Sequence, residues 1–201
     1  MKLIIFDFDG VLVDTLIMSY EITKEINQEM SLEDFRSLAN GNFFHSLENS
    51  SSIKQHPQFF DRYREKSREL KIPESLKGLI YKLSKESTLA IVSSSASILI
   101  KDILAREGHL SHFADILGSD LHKSKVVKNK MLLEKYKIKP KDALFITDTV
   151  GDILEARECG IKSIAITWGF QDAETLQKAK PAKIVNMPEE LIKAIKEIDN
   201  G

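Results

Sequence analysis

Asp7-Phe8-Asp9-Gly10-Val11-Leu12-Val13-Asp14-Thr15 follows directly on the apolar run Leu3-Ile4-Ile5-Phe6. Four apolar residues rich in β-branched and aromatic types have the character of a buried parallel strand. In an open parallel sheet the loops at the carboxyl ends of the strands form the ligand crevice, so Asp7 and Asp9 are placed at a binding edge. Period-2 alternation sends these two carboxylates to one side and Phe6 and Phe8 to the other, into packing. Gly10 lets the backbone turn sharply after the second acid. Two carboxylates this close repel each other unless a cation or a shared proton offsets the repulsion. Hard oxygen ligands at a sheet edge suit Mg²⁺, an ion that commonly accompanies phosphate. Taken alone, the same acids also fit a plain turn that caps a helix beginning at Leu16.

Working outward, compact apolar runs recur at residues 89–92, 143–146 and 163–166, with weaker ones at 114–117 and 183–185. Amphipathic segments separate them. Leu76, Leu79, Ile80 and Leu83 fall at i, i+3, i+4 and i+7 after a start signal at Pro73. Residues 98–105, 131–136, 153–159 and 191–198 behave alike. Strands alternating with helices of this size predict an α/β fold, a doubly wound parallel sheet joined by right-handed crossovers.

Between the first strand and the second the rhythm fails. Residues 16–30 read as a helix, Ser31-x-x-Asp34 as a capping box opening another, Asn40-Gly41 as a turn, residues 49–52 as a polar loop and residues 59–70 as a further helix. The stretch also holds Phe35, Phe43, Phe44, Phe59 and Phe60, five of the chain's 10 Phe. A solvated loop has no use for them, so a small packed helical unit is expected. The chain thus divides into residues 1–14 and 74–201, the α/β core, and residues 15–73, an inserted helical cap.

Three further stretches carry chemistry. Asp148 closes the strand at 143–146 and Asp152 follows four residues on, at the start of the next helix. A first-turn acid there also suits the helix dipole, which explains Asp152 better than Asp148. Ser93-Ser94-Ser95 lies between a strand and a helix N-terminus, an anion-binding position, although serine is also an ordinary cap. In Lys123-Ser124-Lys125 a lysine opens a helix against the dipole preference, which asks for an anionic neighbour.

Composition narrows the field. The 201 residues carry 29 Lys+Arg against 30 Asp+Glu, a net charge of -1, so no basic surface for nucleic acid or anionic membrane is expected. Cys159, alone, cannot form an internal disulfide and reads as a small core residue. No apolar run approaches a membrane span, and Asp7 and Asp9 interrupt what could open a signal peptide, so a cytoplasmic location is expected. Balanced charge is compatible with a monomer or a homodimer.

The chain resembles the haloacid dehalogenase superfamily, in its phosphoglycolate-phosphatase-like branch with a helical cap after the first strand. The stretch Asp7 to Thr15 is similar to that family's first motif. Ser93 falls on the second, Lys125 or Lys123 on the third, and Asp148 with Asp152 on the fourth; Thr167-Trp168-Gly169-Phe170 resembles the same branch. No proline follows either lysine, as it often does in the family, and the cap looks shorter than usual. The resemblance implies a Rossmann-like core and an Mg²⁺-dependent phosphatase acting on a small phosphorylated metabolite through an aspartyl-phosphate. It implies Asp7 as nucleophile and Asp9 as general acid and base. Ser93, Ser94 and Lys125 would bind phosphate, and Asp7, Asp9, Asp148 and Asp152 would surround the metal, Asp9 through its backbone carbonyl. The segment 40–45 is expected to reach substrate. A sugar-phosphate mutase of the same superfamily carries the same motifs. A receiver-type phosphoacceptor domain fits less well, lacking both the Asp-x-Asp on its first strand and the insertion.

Overall fold

The computed structural model describes residues 1–42, 46 and 57–200, and of residues 26 and 57–60 the backbone only. Phe43, Phe44, the side chains of Phe59 and Phe60, His45 and the expected loop at 49–52 lie outside the described residues. So does the 43–45 part of the segment expected to reach substrate.

Six strands form one parallel sheet: β1 (Leu3–Phe6), β2 (Thr88–Val92), β3 (Asp115–Leu117), β4 (Ala143–Thr147), β5 (Lys162–Ile166) and β6 (Lys183–Val185). Their order is β3-β2-β1-β4-β5-β6. The chain winds outward one way from β1 and returns to start β4 on its other side. The β1/β4 boundary is thus the point where the winding reverses, and the crevice of such a sheet opens there. All four residues of β1 are buried. Ile4 and Phe6 pack on one face with Phe8, while Leu3 and Ile5 pack on the other with Phe145, Val126 and Leu132. This is the alternation that the pleat dictates. Register pairs Phe6 with Ile146, so Asp7, one residue past β1, comes out beside Thr147, the last residue of β4.

The crossover helices are α4 (Glu74–Glu86), α5 (Ser97–Arg106), α6 (Lys125–Tyr136), α7 (Val150–Glu158) and α8 (Ala173–Lys178); α1 (Leu16–Ile26), α2 (Leu32–Ser37) and α3 (Pro57–Lys66) precede them, and α9 (Leu191–Asn200) follows the last strand. Pro73 caps α4 as expected, and Leu76, Leu79, Ile80 and Leu83 are its buried face. The fold is the doubly wound α/β class read from the sequence.

Among the described residues, three α-helices stand between β1 and α4. The first ends at Ile26, short of the expected residue 30, because Asn27 takes an extended backbone and closes the helix by its N–H to Thr23. Met30 then folds back beside Phe35, Leu16 and Leu38. The Ser31 capping box forms, with Ser31 Oγ accepting from Asp34 N–H. At about 1.5–3 kcal/mol per large buried side chain, a four-residue cluster is a thin core. Core residues complete it: Phe170 closes this cluster, and Leu99 of α5 packs with Ile22 and Tyr63. Gln171 adds a polar tie, donating to Asn40 Oδ1 at 2.8 Å and accepting from Val150 N–H at 2.6 Å.

Candidate active site

Asp7 is 5% exposed and its backbone N–H bonds to Ile146 O at 2.9 Å, which extends the β1–β4 ladder by one step. Its side chain leaves on the Leu3/Ile5 face, toward α6. There the first residue of the helix, Lys125, places Nζ 3.0 Å from Asp7 Oδ1 and 2.7 Å from Asp152 Oδ2. The anionic neighbours that its first-turn position calls for are these two acids. Burial works against the Lys125 charge, but Asp152 and Asp7 outweigh it and hold the ammonium well above its usual range. Lys123 is exposed, so of the two candidate lysines the fold brings Lys125 to the acids.

The carboxylates respond differently to the same pocket. Burial raises Asp7 well above the ordinary carboxylate range; Lys125 offsets only part of that, and Asp152 and Asp148 add to it. Asp152 is also pushed up by burial, yet Lys125 and the hydrogen bonds it accepts, one from Thr147 Oγ1 at 2.7 Å, bring it below the usual range. Asp148 is fully buried, and among the described residues no lysine is within ion-pair distance of it; Lys125 acts on it only from further off. Burial pushes it up to about 7 despite the Phe170 N–H donating to Oδ2 at 2.7 Å.

Two glycines make room for Asp148. A Cβ on Gly10 would stand 2.0 Å from Asp148 Oδ2, and one on Gly169 would stand 2.2 Å from the same atom. Gly10 also takes φ +76°, which the tight Gly10-to-Val13 turn requires. Asp148 is therefore cradled by backbone at one oxygen, while its Oδ1 is buried without a hydrogen-bond partner.

Asp9 faces another way. Its Oδ2 accepts from Ser95 Oγ at 2.7 Å and from Ser93 Oγ at 3.3 Å, and its Oδ1 accepts from the hydroxyl of Tyr63 on α3. Burial, then the charge of Asp9, raises the Tyr63 phenol well above its ordinary range, so it remains a donor. Ser94 lines the cavity between them, of about 110 Å³, together with Asp7, Asp9, Tyr63, Lys125 and Phe170.

Four carboxylates thus share one edge of the sheet but do not share one cage. Among the described residues no group of three or more acid, histidine or cysteine side chains is arranged to hold a metal ion. Asp152 Oδ2 is held by Lys125 and Thr147, and the Asp9 carboxylate by hydroxyls, which leaves Asp9 its backbone carbonyl, the group through which the resemblance places it at the cation. The donor set left over still fits a hard divalent ion. Asp7 and Asp148 are both held toward protonation by burial, and Asp148 Oδ1 is an orphaned buried oxygen. Mg²⁺ usually takes one or two carboxylates and keeps water for the rest.

Some residues here carry no motif. Tyr63, Thr147, Lys128 and Gln171 all brace the site, and no pattern in the sequence singles them out. Lys128, 0% exposed, donates to Ser93 O at 2.5 Å; burial and the nearby Lys125 lower it to about 8. Its one signal is position, one helical turn after Lys125 on the same face.

The family model for haloacid dehalogenase-like hydrolases matches residues 4–166. A phosphoglycolate phosphatase of Vibrio vulnificus is 26% identical, over 96% of this chain and 96% of its own. One from Synechococcus elongatus is 25% identical, over 98% and 99%. A haloacid dehalogenase-like hydrolase from Streptococcus pneumoniae superposes with a TM-score of 0.78 at 25% identity, covering 97% of this chain and 98% of its own. No helix among the described residues is long and apolar enough to cross a membrane.

Proposed function

Since the chain belongs to the haloacid dehalogenase-like hydrolases, we propose that it hydrolyses the phosphate monoester of a small metabolite, with Asp7 as the phosphoryl acceptor. The observation that carries this reading is Asp7 itself. It is a buried carboxylate at the winding reversal of the sheet, with the Lys125 ammonium 3.0 Å away and the unpartnered oxygen of Asp148 just past the end of the neighbouring strand. Relatives named phosphoglycolate phosphatase, aligned along nearly the whole chain, support the substrate class.

The chemistry divides between the acids. Asp7 attacks phosphorus, and the new bond from its carboxylate oxygen forms as the ester P–O bond breaks. The departing oxygen takes a proton from Asp9. Water then attacks phosphorus and gives a proton back to Asp9, and the Asp7–phosphorus bond breaks to release inorganic phosphate. Lys125 spreads the charge of the transferring oxygens, and Ser93 and Ser94, at the mouth of the β2–α5 loop, hold them. A Mg²⁺ ion, held by Asp7, Asp148 and the Asp9 carbonyl with Asp152 behind them, would supply positive charge against the phosphoryl oxygens and so let one anion approach another. Residues 15–73 act as the cap: they shut water out of the cavity and touch the leaving group.

The test is a phosphate-release screen of the purified protein with Mg²⁺, in which phosphoglycolate, sugar phosphates, nucleotides and pyrophosphate are compared side by side. Release from a monoester, abolished by EDTA and restored by Mg²⁺, is the expected result. No release from any member of the panel would overturn the reading.

A further inference from the structure

Tyr63 enters the site from outside the sheet. It is 4% exposed, its ring packs with Ile22 of α1 and Leu99 of α5, and its hydroxyl donates to Asp9 Oδ1. Ser93 and Ser95 hold the other oxygen, Oδ2, from the β2–α5 loop. Asp9 is therefore gripped at both oxygens by hydroxyls, whereas Asp7 and Asp152 share an ammonium.

That difference is chemical. An ammonium only donates, so it favours the ionised carboxylate beside it. A hydroxyl donates to a carboxylate and accepts from a carboxylic acid, so it can keep hold of either form. A group that first gives a proton and then takes one needs partners of the second kind.

We infer that Tyr63 is a positioning residue for Asp9: its hydroxyl fixes the Asp9 carboxyl where the leaving oxygen of the ester must collect its proton. The inference rests on the acid–base role of Asp9 proposed above and extends it to a residue on the helical insertion. As the ester P–O bond breaks, its electron pair stays on the leaving oxygen, which takes the Asp9 proton; the Tyr63 hydroxyl then donates to the carboxylate so formed. In the second half Asp9 recovers a proton from water, and Tyr63 is unchanged over the cycle. Because Tyr63 sits on α3 while Asp9 sits on the core, proton transfer depends on where the 57–66 helix lies.

Tyr63→Phe removes one oxygen and keeps the packing ring. The probes are phenyl phosphate and p-nitrophenyl phosphate with Mg²⁺, two esters of similar shape whose leaving oxygens differ in their need for a proton. The value compared is kcat/KM, which covers the steps up to departure of the leaving group. The variant should lose about tenfold or more on phenyl phosphate and less than about threefold on p-nitrophenyl phosphate, because only the first relies on the general acid. Its thermal midpoint should stay near that of the unaltered protein. Tyr63→Leu, which also removes the ring, should lower the midpoint and yet give the same ratio of the two rates. Equal losses on both esters, or no loss on either, would overturn the inference and leave Tyr63 a packing residue. If the unaltered protein releases phosphate from neither ester nor any member of the metabolite panel, the phosphatase reading itself falls, and the inference with it. If it hydrolyses only a metabolite, an unchanged kcat/KM of Tyr63→Phe on that metabolite overturns the inference alone.

Discussion

The ammonium of Lys125 stands 3.0 Å from Asp7 Oδ1 in a pocket where both residues are almost wholly shielded from water, at 3% and 5% exposure. A buried ion pair of this kind does not gain stability from its attraction alone, because both charges have left water. Its loss is another matter. Lys125→Met would leave Asp7 and Asp152 facing each other without a cation. We expect a cost of about 3–5 kcal/mol in urea denaturation, the range found when one partner of a buried pair is removed. The cost should be larger at pH 8 than at pH 5, where the two acids can protonate. A neutral or stabilising Lys125→Met would show that the pocket does not need the charge.

The metal-free protein should lose stability as pH rises from about 4 to about 7. Asp148 is held near 7 in the folded chain, against an ordinary value of 3.8, and Asp7 is raised in the same direction. A raised carboxyl binds more protons folded than unfolded, so its favourable contribution is complete below the unfolded value and is lost as pH climbs through the folded one. Asp152, held below its ordinary value, acts oppositely, but only in more acidic solution. Thermal midpoints in EDTA should therefore fall across pH 4–7, and Asp148→Asn should flatten that fall. Adding Mg²⁺ should raise the midpoint more at pH 8 than at pH 5, since protons no longer compete for Asp148. A midpoint indifferent to Mg²⁺ at pH 8 would contradict the assignment of Asp148.

Gly169→Ala tests the cradle by adding a single methyl group. The Cβ would fall 2.2 Å from Asp148 Oδ2 and 2.5 Å from Asp148 Cβ, so the carboxylate has to move. A shift of this size should weaken Mg²⁺ binding by about tenfold or more, as happens when groups supporting a metal ligand are disturbed. Calorimetric titration of Mg²⁺ into the folded variant reads this directly. Unchanged affinity would mean that Asp148 does not face the ion.

Asp7→Asn should separate activity from stability. The amide keeps the shape but is a far poorer nucleophile, so turnover should drop by at least about a thousandfold. The fold should survive, because burial already penalises the Asp7 charge. Phosphate release and a thermal melt on the same sample check both halves, and residual turnover near the original would remove Asp7 from its role.

Which features are legible in the amino-acid order depends on where the information is local. Strands buried on both faces must be continuous apolar runs, so β1, β4 and β5 announce themselves, and an acid at the end of such a run marks the binding edge. The placement of Lys125 rather than Lys123 against Asp7 is not legible in this way, because it depends on where α6 begins and how it docks: Ser124 caps the helix, so Lys125 opens it and Lys123 lies outside. The six-residue α8 escapes a periodicity reading as well: one buried leucine, Leu176, makes no pattern, and its local signal is the cap Asp172, which accepts from Thr175 N–H. Tyr63 belongs to no motif at all. What brings it to Asp9, 54 residues earlier in the chain, is the packing of α3 on α1 and α5, a long-range relation with no signature in local spacing. The split of the four acids has the same origin, since each carboxylate turns toward partners that tertiary packing supplies.

The central claim is that the phosphoryl group passes through Asp7. Mixing the protein with Mg²⁺ and a hydrolysed monoester, quenching in acid during turnover and analysing the peptides by mass spectrometry tests it most directly. The expected result is the added mass of one phosphoryl group on the peptide that contains Asp7, absent from Asp7→Asn. Turnover with no phosphorylated peptide at any quench time, or with the group on a peptide lacking Asp7, would contradict it.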